Sequence, residues 1–250
     1  MDNTQKAQEE EYQFPYHYLP VVDHQGFRWF PYWSWGFKYL TGIEVVMNEV
    51  ADIDFNSLID VGCGDGRFIR EVRSRYNDKQ LVGVDYSDRA IRLAKALNPR
   101  LDYRAKDITV DSFDTKFDIV TMIEVLEHIV PDDVAKFVRH LAQLMHKESV
   151  LIMTVPHRNQ DLIEKHYQHF DSTMLKDIFT DQFEIDHLFF FDSKSRLVSS
   201  IQRLVFNKYW IIRHQALLNF LYRRYRQSYL YCDERSCQRI GVVTRLKRTD

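Results

Sequence analysis

Two short stretches hold the side chains best suited to chemistry. Glu124-Val125-Leu126-Glu127-His128 puts two carboxylates and an imidazole within five positions, and Lys165-His166-Tyr167-Gln168-His169 adds two more imidazoles. An imidazole whose unperturbed pKa is about 6.5 is matched to moving a proton at neutral pH. The same residues offer a second chemistry. Glu124, Glu127 and His128, joined by His169 or by His166, make two carboxylates and two imidazoles, a set able to hold a divalent metal. The primary reading assigns no metal, and the set with His169 stands as its alternative. A structural reading competes with both: the acid-and-His segment orders a turn, and the later histidines are hydrogen-bonded residues at a helix entry.

A second constellation lies upstream. Gly62, Gly64 and Gly66 fall directly after SLIDV and directly before RFIREVRSRY. Glycines there let the chain turn tightly and let a ligand approach the backbone with no Cβ in the way. Asp85 closes the next apolar run, QLVGVD, where a carboxylate can accept from both hydroxyls of a ribose. The spacing is G-x-G-x-G, not the G-x-G-x-x-G of dinucleotide sites, and Arg67 stands where the last glycine of that pattern would fall. No Lys-Ser/Thr pair follows, so the loop is not a P-loop. Asp60, two residues before the loop, suits a cationic group better than a pyrophosphate.

The elements needed to position these residues are legible in the pattern. Strands are expected over 57–62, 80–87, within 101–108, and over 117–123, 149–156, 183–191 and 237–248. Helices are expected over about 36–50, 67–76, 88–97, 132–145 and 171–181, with Asn98-Pro99 stopping the third. Strands alternating with helices of this length give right-handed βαβ units and a mostly parallel sheet.

LIDVGCGDGRF resembles the first motif of class I S-adenosylmethionine-dependent methyltransferases. VGVDYS resembles their acidic ribose loop, AKDI their adenine loop, and FDIVTMIEVLEHI their fourth strand with the segment after it. The resemblance covers about residues 57–191 and 237–248. It implies a Rossmann-like α/β fold with a seven-stranded sheet of order 3-2-1-4-5-7-6, the seventh strand antiparallel. It also implies S-adenosylmethionine as cofactor. Carried over residue by residue, Gly62 and Gly64 face the methionine moiety with Asp60 near its ammonium. Asp85 takes the ribose hydroxyls, while Asp107 and the Ile108 backbone meet the adenine. Cys63, Gly66, Tyr86, Ile123 and Glu124 complete the expected cofactor contacts, Cys63 as a small spacer and not a nucleophile. Asp107 has a competing reading as a turn residue.

Methyl transfer is an in-line displacement at a sulfonium, so alignment of nucleophile, methyl and sulfur supplies much of the catalysis. His128 is the expected general base for a hydroxyl acceptor, with Glu124, His166 and His169 as further catalytic candidates. The acceptor is expected to be a small molecule, a glycan or a lipid-linked compound; amine and carboxylate acceptors stay open. The E-x-x-E-H half also resembles small-RNA 3′-terminal 2′-O-methyltransferases, in which a metal binds the terminal ribose, although the downstream histidines lie in a different local sequence. A non-catalytic, cofactor-binding regulator is the third alternative.

Two flanking regions do not fit the sheet pattern. Residues 12–39 hold 12 aromatics and three prolines, and read as a wrap or a lid over the acceptor. Residues 194–232 contain no acid, eight Lys/Arg and eight aromatics. This insert is expected to be helical. A cap over the acceptor site is its first reading, an anionic membrane surface the second and nucleic acid the third. The expected organisation is thus a tail and aromatic lid over 1–56, a cofactor-binding domain over 57–191 and 237–250, and a basic cap over 192–236.

Composition bounds the rest. With 250 residues, 45% hydrophobic and 28% charged, the chain can bury a real core, and disorder is excluded for its bulk. A net charge of −2 argues against a generally basic nucleic-acid binder. Three cysteines, Cys63, Cys232 and Cys237, are too few for a disulfide scaffold. With no signal pattern and no long apolar run, the expected location is cytoplasmic, extending to the inner face of the membrane if the insert binds lipid.

Overall fold

The computed structural model describes residues 21–23, 26–28, 33–194, 200 and 214–248. The tail over 1–11, most of the aromatic segment and most of the basic insert lie outside the described residues. Within the aromatic segment, β1 (Val21–Asp23) and β2 (Gly26–Arg28) pair as a short antiparallel hairpin.

The main sheet has seven strands: β3 (Ser57–Val61), β4 (Gln80–Asp85), β5 (Asp102–Ala105), β6 (Phe117–Ile123), β7 (Met145–Pro156), β8 (Phe183–Ser193) and β9 (Cys237–Leu246). Their order is β5-β4-β3-β6-β7-β9-β8, the expected 3-2-1-4-5-7-6 arrangement. β9 runs antiparallel to both β7 and β8, and the other pairings are parallel. Order reverses beside β3, where one crossover runs to β4 and the next long connection to β6. That switch point opens a crevice beyond the carboxyl ends of the strands.

Helices cover both faces. α1 (Trp33–Ala51), α2 (Arg67–Arg75) and α3 (Asp88–Leu97) pack on one side, joined by α6 (Gln215–Ser228) from the insert. α4 (Val134–Gln143) and α5 (Ser172–Phe179) cover the other. Each helix shows one apolar stripe. α1 buries Val45, Val46, Met47 and Val50, each worth about 1.5–3 kcal/mol when fully removed from water. α3 starts on Ser87, whose side chain accepts from Ala90 N, and α5 on Asp171, which accepts from Met174 N.

Most boundaries shift by only a few residues, and the stretch between residues 131 and 149 differs most from expectation. The helix expected over 132–145 is a 3₁₀ turn at Pro131–Asp133 followed by α4, and the strand expected from 149 begins at Met145. Met145 and Phe117 are both fully buried and pair across a bulge, while Ser149 bridges the kink by accepting from His146 N and donating to the Phe117 carbonyl. Burial of this apolar pair takes the segment out of the helix. Among the described residues no helix is long and apolar enough to cross a membrane.

Candidate active site

The glycine loop after β3 is built from its own backbone. Gly62 N and Cys63 N both donate to the Val84 carbonyl, at 2.8 and 3.0 Å, tying the loop to β4. Gly62, Gly64 and Gly66 all have positive φ, at 75°, 52° and 77°, where a side chain is strained. Space forbids one as well: a Cβ at Gly62 would lie 2.3 Å from a Val125 methyl, and one at Gly66 2.4 Å from the Tyr103 ring. Tyr103 donates to the Gly66 carbonyl at 2.9 Å from below.

Carboxylates frame this loop. Asp85 is buried and accepts from Gly64 N at 3.0 Å and from Ser87 N at 2.9 Å, which points it along the loop and into the crevice. Asp60 is also buried and accepts from the Thr121 hydroxyl at 2.8 Å. Burial pushes its carboxyl up to about 7, so a nearby cation is what would ionise it fully. Cys63 is buried, and desolvation with the surrounding acids holds its thiol well above the usual range, which leaves it no nucleophile. All three cysteines are free.

A cavity of about 680 Å³ runs from this loop to the ends of β6, β7, β8 and β9. Asp60, Gly62, Cys63, Gly64, Asp85, Tyr86, Asp107, Ile108, Ile123 and Glu124 line it, and so do Glu127, His128, His166 and His169. Gly66 does not; it packs on Tyr103 and shapes the loop from outside. Asp107 accepts from both the backbone and the hydroxyl of Thr109 through Oδ1, so part of its capacity serves a turn.

The far end of the cavity is built by long-range contacts. Glu124 follows β6 with φ 54°, a left-handed conformation that a non-glycine residue holds only under constraint; its amide donates to the Thr154 carbonyl on β7 at 2.9 Å. Glu127 and His128 sit on a 3₁₀ turn, Leu126–His128. The Glu127 carbonyl accepts from Tyr167 N at 2.9 Å, which pins the 165–169 segment against the turn. His128 Nδ1 lies 2.8 Å from the Lys165 carbonyl, and its Nε2 3.9 Å from Glu127 Oε1. One ligand atom each from Glu127, His128 and His166 lie within 4.8 Å of one another. His169, assigned to that set from sequence, bonds instead to His166, Nε2 to Nδ1 at 2.8 Å, and Glu124 falls outside the trio.

Electrostatics make this end needy. Glu124 Oε1 and Glu127 Oε2 are buried with no hydrogen-bond partner. Burial raises both carboxyls, that of Glu127 further through the neighbouring charge of Glu124. Burial and the adjacent imidazoles lower His166 to about 3, so it is neutral. Polar groups left like this mark places where a ligand, a proton or an ion completes the structure.

Sequence reasoning missed the cavity's outer wall. Asp192 at the end of β8 sits 3.6 Å from Arg239 Nε and 3.5 Å from Lys38 Nζ, and accepts from the Tyr225 hydroxyl of α6. Arg239 donates to the Lys38 carbonyl at 2.7 Å, stacks on Phe191 and fits because Gly42 has no side chain. An arginine inside the apolar run of β9 was the available signal.

A reversal of strand order, a loop of left-handed glycines and an acid at the end of the second strand define a class I S-adenosylmethionine-dependent methyltransferase. The chain belongs to the methyltransferase-domain family, which it matches over residues 32–221. It is similar to the N-methyltransferase NodS of Bradyrhizobium japonicum, solved with S-adenosyl-L-homocysteine, at 13% identity with a TM-score of 0.63 over 99% of this chain and 100% of that one. It is 31% identical over 123 residues to a ubiquinone biosynthesis O-methyltransferase of Alkalilimnicola ehrlichii, covering 47% of this chain and 48% of that protein. It is 24% identical over 136 residues to a small RNA 2'-O-methyltransferase of Arabidopsis thaliana, covering 49% of this chain and 14% of that protein. The chain thus spans about half the length, or less, of these curated relatives.

Proposed function

We propose that the chain transfers a methyl group from S-adenosylmethionine to a hydroxyl of a small-molecule, glycan or lipid-linked acceptor. The observation that carries this reading is the single cavity shared by the glycine loop and by His128. The donor fits this crevice: three glycines clear its path, Asp85 faces a ribose, and Asp60 offers a carboxylate that a cation would ionise. When bound, the donor supplies an electrophilic methyl on a sulfonium. Asp107 and Ile108 form the wall for the adenine, and Tyr86 and Ile123 flank the nucleoside. His128 acts as general base. The Lys165 carbonyl can only accept, so Nδ1 of His128 carries the proton, and the lone pair on Nε2 is the base that would take the acceptor's hydroxyl proton. With its proton taken up at Nε2, the acceptor oxygen would be the nucleophile for the methyl group that the donor supplies.

The cap reading of the insert gains from α6. Its Tyr225 is buried against Asp192 at the cavity wall, while Phe220, Arg223 and Arg224 are exposed on its outer side. That outer side suits a lipid-linked acceptor at an anionic surface; flotation with anionic but not neutral liposomes is expected, and no flotation with either discards it.

The main test is incubation with methyl-labelled donor and fractionated metabolite, glycan, lipid and RNA pools. Label in a methyl ether of the metabolite, glycan or lipid pool, lost with His128→Gln, is expected; label confined to RNA overturns the reading. A second reading, metal-dependent ribose methylation of RNA, is favoured by the convergence of Glu127, His128 and His166 and by the likeness to the plant enzyme. Those three residues would hold the ion, which would supply Lewis-acid activation of a ribose hydroxyl. Stoichiometric metal in the purified chain, lost with Glu127→Ala, is expected under it; full activity in chelator removes it.

A further inference from the structure

Gln160, His169 and His166 form a chain of hydrogen bonds whose direction is fixed at one end. The Gln160 carbonyl only accepts, so His169 Nδ1, 3.2 Å away, carries a proton. A neutral His169 then has a bare Nε2, and the contact to it at 2.8 Å makes His166 Nδ1 the donor. His166 is left with its lone pair on Nε2. His128 arrives at the same state by a separate route, through the Lys165 carbonyl. The two rings meet edge to face, with centroids 4.9 Å apart, beside the buried Glu127 carboxyl.

We propose that His169 is a positioning residue: its Nε2 holds His166 in the Nδ1–H tautomer, so that His166, which converges with Glu127 and His128, keeps its lone pair on Nε2. A flipped His166 would set an N–H against the same point and turn an acceptor of protons or cations into a donor. With the tautomer held, the spot takes an electropositive partner, either the hydroxyl proton of the methyl acceptor or a divalent cation. Three separate restraints serve this end: the Gln160 carbonyl on His169, His169 on His166, and the Glu127 carbonyl on Tyr167 N between the two histidines. The use of the spot rests on the functional reading above; the tautomer does not.

The test reads the tautomer directly. The full chain, with ¹⁵N in its histidine rings, is examined near neutral pH by long-range ¹H–¹⁵N spectroscopy, and His166 is assigned by its loss in His166→Gln. The wild type is expected to show a protonated Nδ1 and a bare Nε2 at His166. His169→Gln, which keeps an acceptor oxygen, preserves that pattern, whereas His169→Leu moves the proton to Nε2 or mixes the two forms. A wild-type His166 protonated on Nε2 overturns the proposal, and so does a His169→Leu spectrum identical to wild type. If His169→Leu fails to fold, the wild-type spectrum decides alone. Titration with S-adenosylhomocysteine separates the two readings. Absent binding by wild type with the expected tautomer sinks the donor site and leaves the positioning role standing; normal binding with the flipped tautomer does the reverse.

Discussion

The two ends of the cavity are made in different ways. The end proposed for the donor is local and made of backbone: the glycine loop, Asp85 and Ser87 lie within 26 positions, and their hydrogen bonds run mostly through amides and carbonyls. The end proposed for the acceptor is assembled from far apart. Its 3₁₀ turn after β6, the 165–169 segment, the ends of β8 and β9 and the first turns of α1 meet only once the sheet is complete. It is made of side chains, several of them buried and incompletely satisfied. On the proposed function the contrast separates tasks: a ligand common to a whole class would be held by main chain, whereas what distinguishes one acceptor from another would be left to replaceable side chains.

Substitutions at the two ends sharpen this difference. His128→Gln is expected to cut turnover by ~10²–10⁴-fold while leaving S-adenosylhomocysteine affinity in place, as seen by labelled-methyl transfer beside calorimetry; weakened binding of the nucleoside instead would blur the two ends into one. Gly66→Val should do the opposite, lowering global stability by roughly 2–4 kcal/mol through backbone strain and the clash with Tyr103. Denaturant titration reads this, and an unchanged midpoint would show that the loop is softer than its geometry. Asp85→Asn removes a charge-assisted acceptor and is expected to weaken S-adenosylhomocysteine roughly 10- to 100-fold, with no effect on any metal content.

The smallest effect is a slope. Asp60 is raised from 3.8 to about 7 in the folded chain, so the folded state keeps a proton that the unfolded state gives up. That contribution is full below the unfolded value and is lost as pH rises through 7. His166 works in reverse, since its lowered value removes stability as pH falls from 6.5 toward 3. Comparing Asp60→Asn with wild type at the same pH cancels the histidine. The melting temperature of the variant should gain on wild type between about pH 5 and about pH 8, and parallel curves would show that Asp60 is already ionised.

The same contrast explains what could be read in advance. The sheet order, the loop and the place of Asp85 at a strand end beside it were legible because apolar runs, glycines and a strand-end acid lie close together in the chain. The partnership of Glu127 and His128 was legible for the same reason. Which of the two downstream histidines joins them was not, because the choice depends on where the Gln160 carbonyl falls in the folded loop. Asp192, Arg239 and Lys38 were missed because their proximity arises only when β9 inserts between β7 and β8, and no local spacing encodes it. The Met145 end of β7 was read as helix because periodicity cannot register a bulge that pairs it with Phe117.

Tyr103 lies beneath the glycine loop like a keystone, its ring filling the space below Gly66 and its hydroxyl gripping the carbonyl above. A loop braced in that fashion has little freedom left to surrender when the nucleoside arrives. On the proposed donor site, entry of a nucleoside would therefore ask for little remodelling of this wall.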